Sequence, residues 1–434
     1  MRGAVDRGPT PDPVGRPRPG ARAGVIGRVI GLALAAACAG GAGGPGYTVR
    51  DSAGVAIVEN VGPAWQDVDA WAVIEPAEVE IGVAEGEDAY QLFDVAGAVR
   101  LDDGTIVIAD GGTQEIRFYD AAGRHQRSVG GRGRGPGEYT SLEAVARLPG
   151  DSVLAYNLVP GFVSVYNASG ELARTLALPP PAPDRHAPEF AGMIDAARFA
   201  AWWEPSLMSI PFTNGLSRIP LPIGVVDVAA GTADSVATMP GFEAMLERRE
   251  NGYSVGVPPY RRWTAMLGAA GAIYVAPTEE YGFRIHDSDG SLRRIVRAMR
   301  APVPVTRADV DRYAEDLYSR FPDATEAQKT EWRRALLEMP VPEHHPAHRG
   351  LIVDGAGNVW LDEHRLPGDP VTVFAVFDAD GRFLGPVALP PGIKRAGAGR
   401  PMAEIGADWV LGVWRGEADV EYVRLYRLRK HPGR

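Results

Sequence analysis

Two stretches of this chain hold the residue types most able to do chemistry: PEHHPAHRG, with His344, His345 and His348, and the glycine-rich SVGGRGRGPGEY from Ser128 to Tyr139. Histidines four apart can grip one metal ion when a helix aligns them. Pro342 and Pro346 break any such helix, and no Glu or Asp pattern completes a ligand set. A solvated loop without metal is therefore the expectation for the histidines. The glycine-rich stretch carries neither G-x-x-x-x-G-K-[ST] nor G-x-G-x-x-G, so a nucleotide loop of either kind is excluded. Its free N–H groups, flanked by Arg132 and Arg134, can still form an anion-binding nest. Arg132, Arg134, Glu138 and Tyr139 are thus the candidate ligand-binding residues. Asp94, Glu143 and Asp195 are candidate carboxylates for a metal-assisted hydrolase or lyase, if several strands bring them together. No catalytic residue is assigned and no cofactor is expected.

Two other features look chemical. Asn167 opens the sequon NAS, but inside a turn of a repeat, and the WWEP run from Trp202 reads as a core pair on an inner strand. The net charge of −10 leaves no basic field to draw in phosphates, so nucleic acid is excluded as a partner. The single cysteine excludes both a disulfide framework and a cysteine-ligated zinc site within one chain.

That cysteine ends a leader. Arg16, Arg18, Arg22 and Arg28 precede the short apolar run VIGLALAAAC, which is too short to span a bilayer. LAAAC is similar to a bacterial lipobox, with Ala35 in place of the usual leucine. It makes Cys38 the lipid-attachment residue, residues 1–37 a signal peptide and 38–46 a flexible tether. Loss of residues 1–37, with six arginines and two aspartates, takes the charge to about −14.

The elements that would position any site come from repeats. RFYDAAGRHQRSVG recurs in form at Ser164, Val225, Arg284 and Ala375: a strand, an Asp or Asn, a Gly, then a second strand. The Asx side chain bonds the backbone just ahead while the glycine supplies a positive φ, which together make a hairpin turn. A second unit, such as RLDDGTIVIAD, begins near residues 100, 147, 193, 268, 353 and 404. Two hairpins make a four-stranded antiparallel sheet, and six second units predict an all-β, six-bladed β-propeller over 77–430. Only five first units exist, and EYVRLYRLRK leaves room for three strands in the last blade. The missing outer strand is assigned to Val79–Val83, from the parallel between EVEIGVAEGEDAYQLFDVAGAVRL and QRSVGGRGRGPGEYTSLEAVARL. This makes the glycine-rich stretch a blade-to-blade connection. Residues 47–76 read as an N-terminal extension with a hairpin turning at DSAG.

Between the fourth and fifth blades, 304–340 read as a helical hairpin. Thr306 caps the first helix, Val310, Tyr313, Leu317 and Phe321 fall at helical spacing, and Trp332, Leu336 and Met339 mark the second. The hairpin either covers the mouth of the central channel or packs against the blade sides.

With its lipobox-like start, its VRLDDGTIVIADGG blade, GRGRGPGEY connection and VEYVRLYRL ending, the chain resembles bacterial six-bladed β-propeller lipoproteins, related in shape to NHL-repeat proteins. The resemblance implies an envelope-located propeller and carries no catalytic residues across. With the lipobox-like start, the expectation is a monomer lipid-anchored to a bacterial membrane, on the periplasmic or surface side. Three function classes follow: a tethered module binding a protein, peptide or glycan; a lactonase-like hydrolase or lyase with a metal in the channel; and a scaffold subunit of an envelope complex.

Overall fold

Strands such as IVIAD, VLAYN and AIYVAP are buried at every residue, whereas HQRSVG alternates half-buried and exposed. A continuous apolar run needs cover on both faces, and alternation suits an outer strand with one wet face. The fold supplies both environments. The computed structural model describes residues 46–430, apart from 67–69, 181, 207–209, 211–213, 251, 320, 367, 370, 396–401 and 417–418. Gly40–Arg434 form one compact unit.

Two strands, β1 (Tyr47–Ser52) and β2 (Val55–Asn60), form a hairpin, and β3 (Ala72–Ile81) follows. Blade I is β4 (Val95–Arg100), β5 (Ile106–Asp110), β6 (Glu115–Tyr119) and β7 (His125–Gly130). Blade II is β8 (Leu142–Arg147), β9 (Val153–Asn157), β10 (Phe162–Tyr166) and β11 (Leu172–Ala177). Blade III is β12 (Arg185–Met193), β13 (Arg198–Pro205), β14 (Gly215–Asp227) and β15 (Thr232–Arg249), extended by β16 (Gly252–Gly256). Blade IV is β17 (Thr264–Ala269), β18 (Ala272–Pro277), β19 (Gly282–His286) and β20 (Leu292–Ala298). The helices α1 (Arg307–Ser319) and α2 (Glu326–Glu338) come next. Blade V is β21 (His348–Val353), β22 (Val359–Glu363), β23 (Thr372–Phe377) and β24 (Phe383–Leu389). Blade VI has β25 (Ala403–Ile405), β26 (Trp409–Arg415) and β27 (Glu421–Arg429), and takes β3 as its fourth strand.

The chain is therefore a six-bladed β-propeller. Closure runs through Val79 opposite Leu425, Glu80 opposite Arg424 and Ile81 opposite Val423. The closing strand begins at Ala72, earlier than the Val79–Val83 segment read from the sequence, and ends at Ile81. Six apolar clusters fill the six seams between neighbouring blades, the seam between blades VI and I included.

The recurring turn glycine serves both its own hairpin and the next blade. In blade I, Asp120 accepts the N–H groups of Ala122 and Arg124, and Gly123 follows at φ +79°. A β-carbon on Gly123 would lie 2.7 Å from Val79 of the closing strand, so the turn presses directly on blade VI. Asn167 does the same turn work in blade II through the N–H of Glu171.

The N-terminal segment binds the rim across three blades. β2 pairs in parallel with β20 and widens blade IV to six strands. Ala64 and Trp65 then donate to Phe383 and Leu384 on blade V before β3 enters blade VI. The buried Asn60 side chain donates to Arg297 O and Gly381 O and accepts from Phe383 N.

Alternating strand direction puts every entry into an inner strand on one face, called upper here. Both helices lie in the connection between blades IV and V, on that face. Thr306 and Asp309 form reciprocal capping bonds on α1, and Thr325 with Gln328 forms a capping box on α2. The Tyr260 hydroxyl donates to Asp309 O over 2.6 Å, and the Tyr260 and Tyr313 rings meet at 5.5 Å. The helical hairpin thus packs on the upper face beside the mouth.

Candidate functional site

Polar residues at the ends of second strands hold the loops that enter the channel. Asp110 accepts Phe93 N and Thr113 N, and Asn157 accepts Thr140 N and Ser141 N. Thr278, just past β18, accepts Trp263 N in blade IV. These bonds satisfy loop amides that would otherwise be buried unpaired, and so fix where each inner strand starts.

At that start, blades I, II and V share an irregularity. The ladder passes from Val95 to Gly97, from Leu142 to Ala144 and from His348 to Gly350, leaving Ala96, Glu143 and Arg349 as extra residues. A bulge re-aims the side chain it carries. Blades II and V are three apart in a ring of six, so the bulges that carry Glu143 and Arg349 stand on opposite sides of the ring.

Beside Glu143, under the overhang of blade III, lies a cavity of about 620 Å³. β14 and β15 run on above the disc, pairing Gly215 with Leu246 well beyond the end of β13, and β16 adds a third strand to this tongue. Phe190, Trp202, Phe242 and Trp263 wall the cavity, and Glu143, Glu189 and Glu204 lie at it with one guanidinium, Arg261. Arg261 lies over the Phe242 ring at 5.1 Å, and burial pulls its pKa down. The WWEP pair divides its labour on β13, a second strand rather than an inner one. Trp203 fills the seam between blades II and III, while Trp202 lines the cavity.

Arg349 belongs to a second group beside the mouth. Asp362, at the end of β22, is fully buried and accepts from Arg395 Nε at 2.8 Å. Burial pushes the Asp362 carboxyl up, against the pull of Arg395 and Arg349. Arg365 completes the group. Burial, with the like charge of Arg395 behind it, brings Arg349 down to about 10.

The residues singled out from sequence are dispersed. Tyr139 is a correction: its ring is buried and its hydroxyl meets that of Tyr166 at 2.7 Å, so it cannot touch a surface ligand. Glu138 folds back to accept Gly135 N at 2.7 Å, and Arg132 donates to Gly112 O. Arg134 is exposed on the same connection. Of the carboxylates, Glu143 reaches the cavity and Asp94 lies by Lys394 at 3.4 Å, while Asp195 caps a turn on the opposite face. The histidine run is not a solvated loop. His345 is buried against Asp309 at 3.2 Å and stacks on His364, and His348 contacts Pro277 O. No group of three His, Cys, Asp or Glu among the described residues could hold a metal ion. Cys38 and residues 1–45 lie outside the described residues. The sequence reading did not single out Arg349, Arg365 and Arg395. Superposing the starts of the inner strands would have brought Glu143 and Arg349 into register.

No family model and no curated protein matches the chain. Solved structures similar to it include a Bacteroides fragilis protein named as exported, at 11% identity over 87% of this chain and 100% of the other, with a TM-score of 0.44. A DUF4221 family member from Bacteroides vulgatus matches at 8% identity, 83% and 99% coverage and TM-score 0.46. Virginiamycin B lyase from Staphylococcus aureus matches at 10% identity, 83% and 99% coverage and TM-score 0.36. At these values none of them says what this chain binds or does.

Two groups on inner strands set opposite pH dependences. Burial holds the His348 imidazole neutral, with its pKa pushed down to about 4. Below pH 6.5 the unfolded chain binds this proton and the native state does not, so stability falls as pH drops toward 4. His348→Gln should remove up to about 3 kcal/mol of that slope. Burial raises Glu404, whose carboxylate accepts Arg100 N at 2.8 Å, to about 7. Here the native state holds the extra proton, so stability falls as pH rises through 4.5 to 7. Glu404→Gln should therefore stabilise the protein above pH 7 and leave it unchanged below pH 4. Urea denaturation at stepped pH measures both.

Proposed function

We propose that this propeller is a recognition module tethered at the cell envelope, and that it takes a protein or peptide segment into the cavity at its mouth. The cavity carries the reading. Its volume suits a few side chains, its aromatic walls offer flat apolar contact, and its three carboxylates against one guanidinium favour a cationic group on the ligand. Most of the walls stand on paired strands of blades III and IV, so they are held in place before a ligand arrives. The tongue of blade III overhangs the cavity through Ile219, Leu221, Ala244 and Leu246.

The test is selection of peptides from a display library on the wild-type protein, followed by affinity measurement on Trp202→Ala and Glu143→Gln. Peptides rich in apolar residues with Lys or Arg should emerge, and each substitution should weaken them at least tenfold, about 1.4 kcal/mol. Selected peptides that bind both variants as well as wild type contradict the reading. Binding confined to glycans on a carbohydrate array assigns the cavity to sugars instead.

The tether is proposed from the lipobox-like LAAAC alone. No helix among the described residues is long and apolar enough to cross a membrane. Wild-type protein expressed in a bacterium should partition into the detergent phase, and Cys38→Ser should move it to the aqueous phase. A Cys38→Ser protein still in the detergent phase rules out an acyl anchor at that residue.

A further inference from the structure

The arginine group beside the mouth has more charge than its own structure uses. Arg349, Arg365 and Arg395 lie about a single buried carboxylate, Asp362, which bonds Arg395 and leaves the other two without a carboxylate partner. Arg349 has no hydrogen-bond or ion-pair partner among the described residues. Arg365 spends one nitrogen on the carbonyls of Asp369 and Val371, while its Nε is buried without an acceptor. Arg395 is committed to Asp362, with Nε at 2.8 Å and Nη2 at 2.7 Å from Oδ2. Asp316 on α1 and Asp369 act on the group from farther out, neither within ion-pair distance of these guanidiniums.

Asp362 offsets one of the three guanidiniums, which leaves an excess of positive charge beside it; burial of unpaired guanidinium is costly, and a bound anion would offset that cost. The geometry points to an oxyanion-binding site formed by Arg349, Arg365 and Arg395 at the channel mouth, for a carboxylate or phosphate group. Guanidinium donors come in flat forks that match two oxygens at once, which is the basis for choosing an oxyanion over a halide. The group is only partly enclosed: Arg395 keeps 16% of its side-chain surface exposed, and Arg349 and Arg365 are likewise half-buried. Solvent can therefore deliver the anion and take it away. Asp362 positions Arg395 and takes no part in contacting the anion. The bulge that turns Arg349 out of the ladder is what brings it to the group. This inference is independent of whether the aromatic cavity takes a peptide, because the probes below are too small to fill that cavity.

The experiment is thermal unfolding of the whole protein with millimolar inorganic phosphate, and separately succinate, against chloride at matched ionic strength. Phosphate or succinate should raise Tm by roughly 3 °C or more, increasing with concentration, and the stronger of the two identifies a tetrahedral or a planar group. Arg349→Gln should abolish that rise. In chloride the variant should unfold at or above the wild-type Tm, because it has lost an unpaired buried charge. The inference fails if neither anion moves the wild-type Tm relative to chloride. It fails equally if Arg349→Gln unfolds well below wild type in chloride, which would show Arg349 spent on Asp362. Because Arg349 is itself the bulge residue, Arg365→Gln is the second variant, with the same loss of anion response expected.

Discussion

The constraint on which everything else depends is closure of the ring. Six blades bury their faces only if each has a neighbour on both sides, and the seam between blades VI and I can form only when the last sheet is complete. That sheet borrows its outer strand from the other end of the chain. Ile81 and Val423 are fully buried where the two ends meet, and such a side chain is worth about 1.5–3 kcal/mol. The ion pairs at the rim, Arg424 with Glu80 and Arg427 with Glu78, are solvent-accessible and add little beside it. Gly123 shows how tightly the first blade sits on the last, since even a methyl group there would collide with Val79.

Closure also sets the mouth. The inner strands converge because the seams hold the blades upright, and the polar residues at the second-strand ends fix the height at which each inner strand begins. Within that frame the sequence varies one position, the bulge residue, from alanine in blade I to glutamate in blade II and arginine in blade V. The fold is thus a repeat, while the chemistry lies in departures from it: the bulge charges, the long tongue of blade III and the helical insertion.

This division explains what could be read from the sequence. The turns with Asp120 and Gly123, and the buried runs such as IVIAD, carry their structure in local composition, so blade number, closure and the helical hairpin were legible. The addition of β2 to blade IV was not. A parallel pairing of two distant strands leaves no mark beyond a plain hairpin such as YTVRDSAGVAIVEN. The site was less legible still. Tyr139 looks like a ligand-binding tyrosine at the end of a glycine-rich loop, yet its side chain is drawn inward to Tyr166. Arg349, Arg365 and Arg395 are separated by up to 46 positions and meet only through the ring. His345 and His348 looked solvated because prolines flank them, and tertiary packing overrode that local signal.

The measurement that tests closure most directly is hydrogen exchange of the amides in β3 and β27. The account predicts that the β3 amides bonded to β27 exchange as slowly as those of β7, β11 and β24, the outer strands of blades closed within themselves, and that both strands open together. Exchange of β3 within seconds, while the five other blades remain protected, would contradict it.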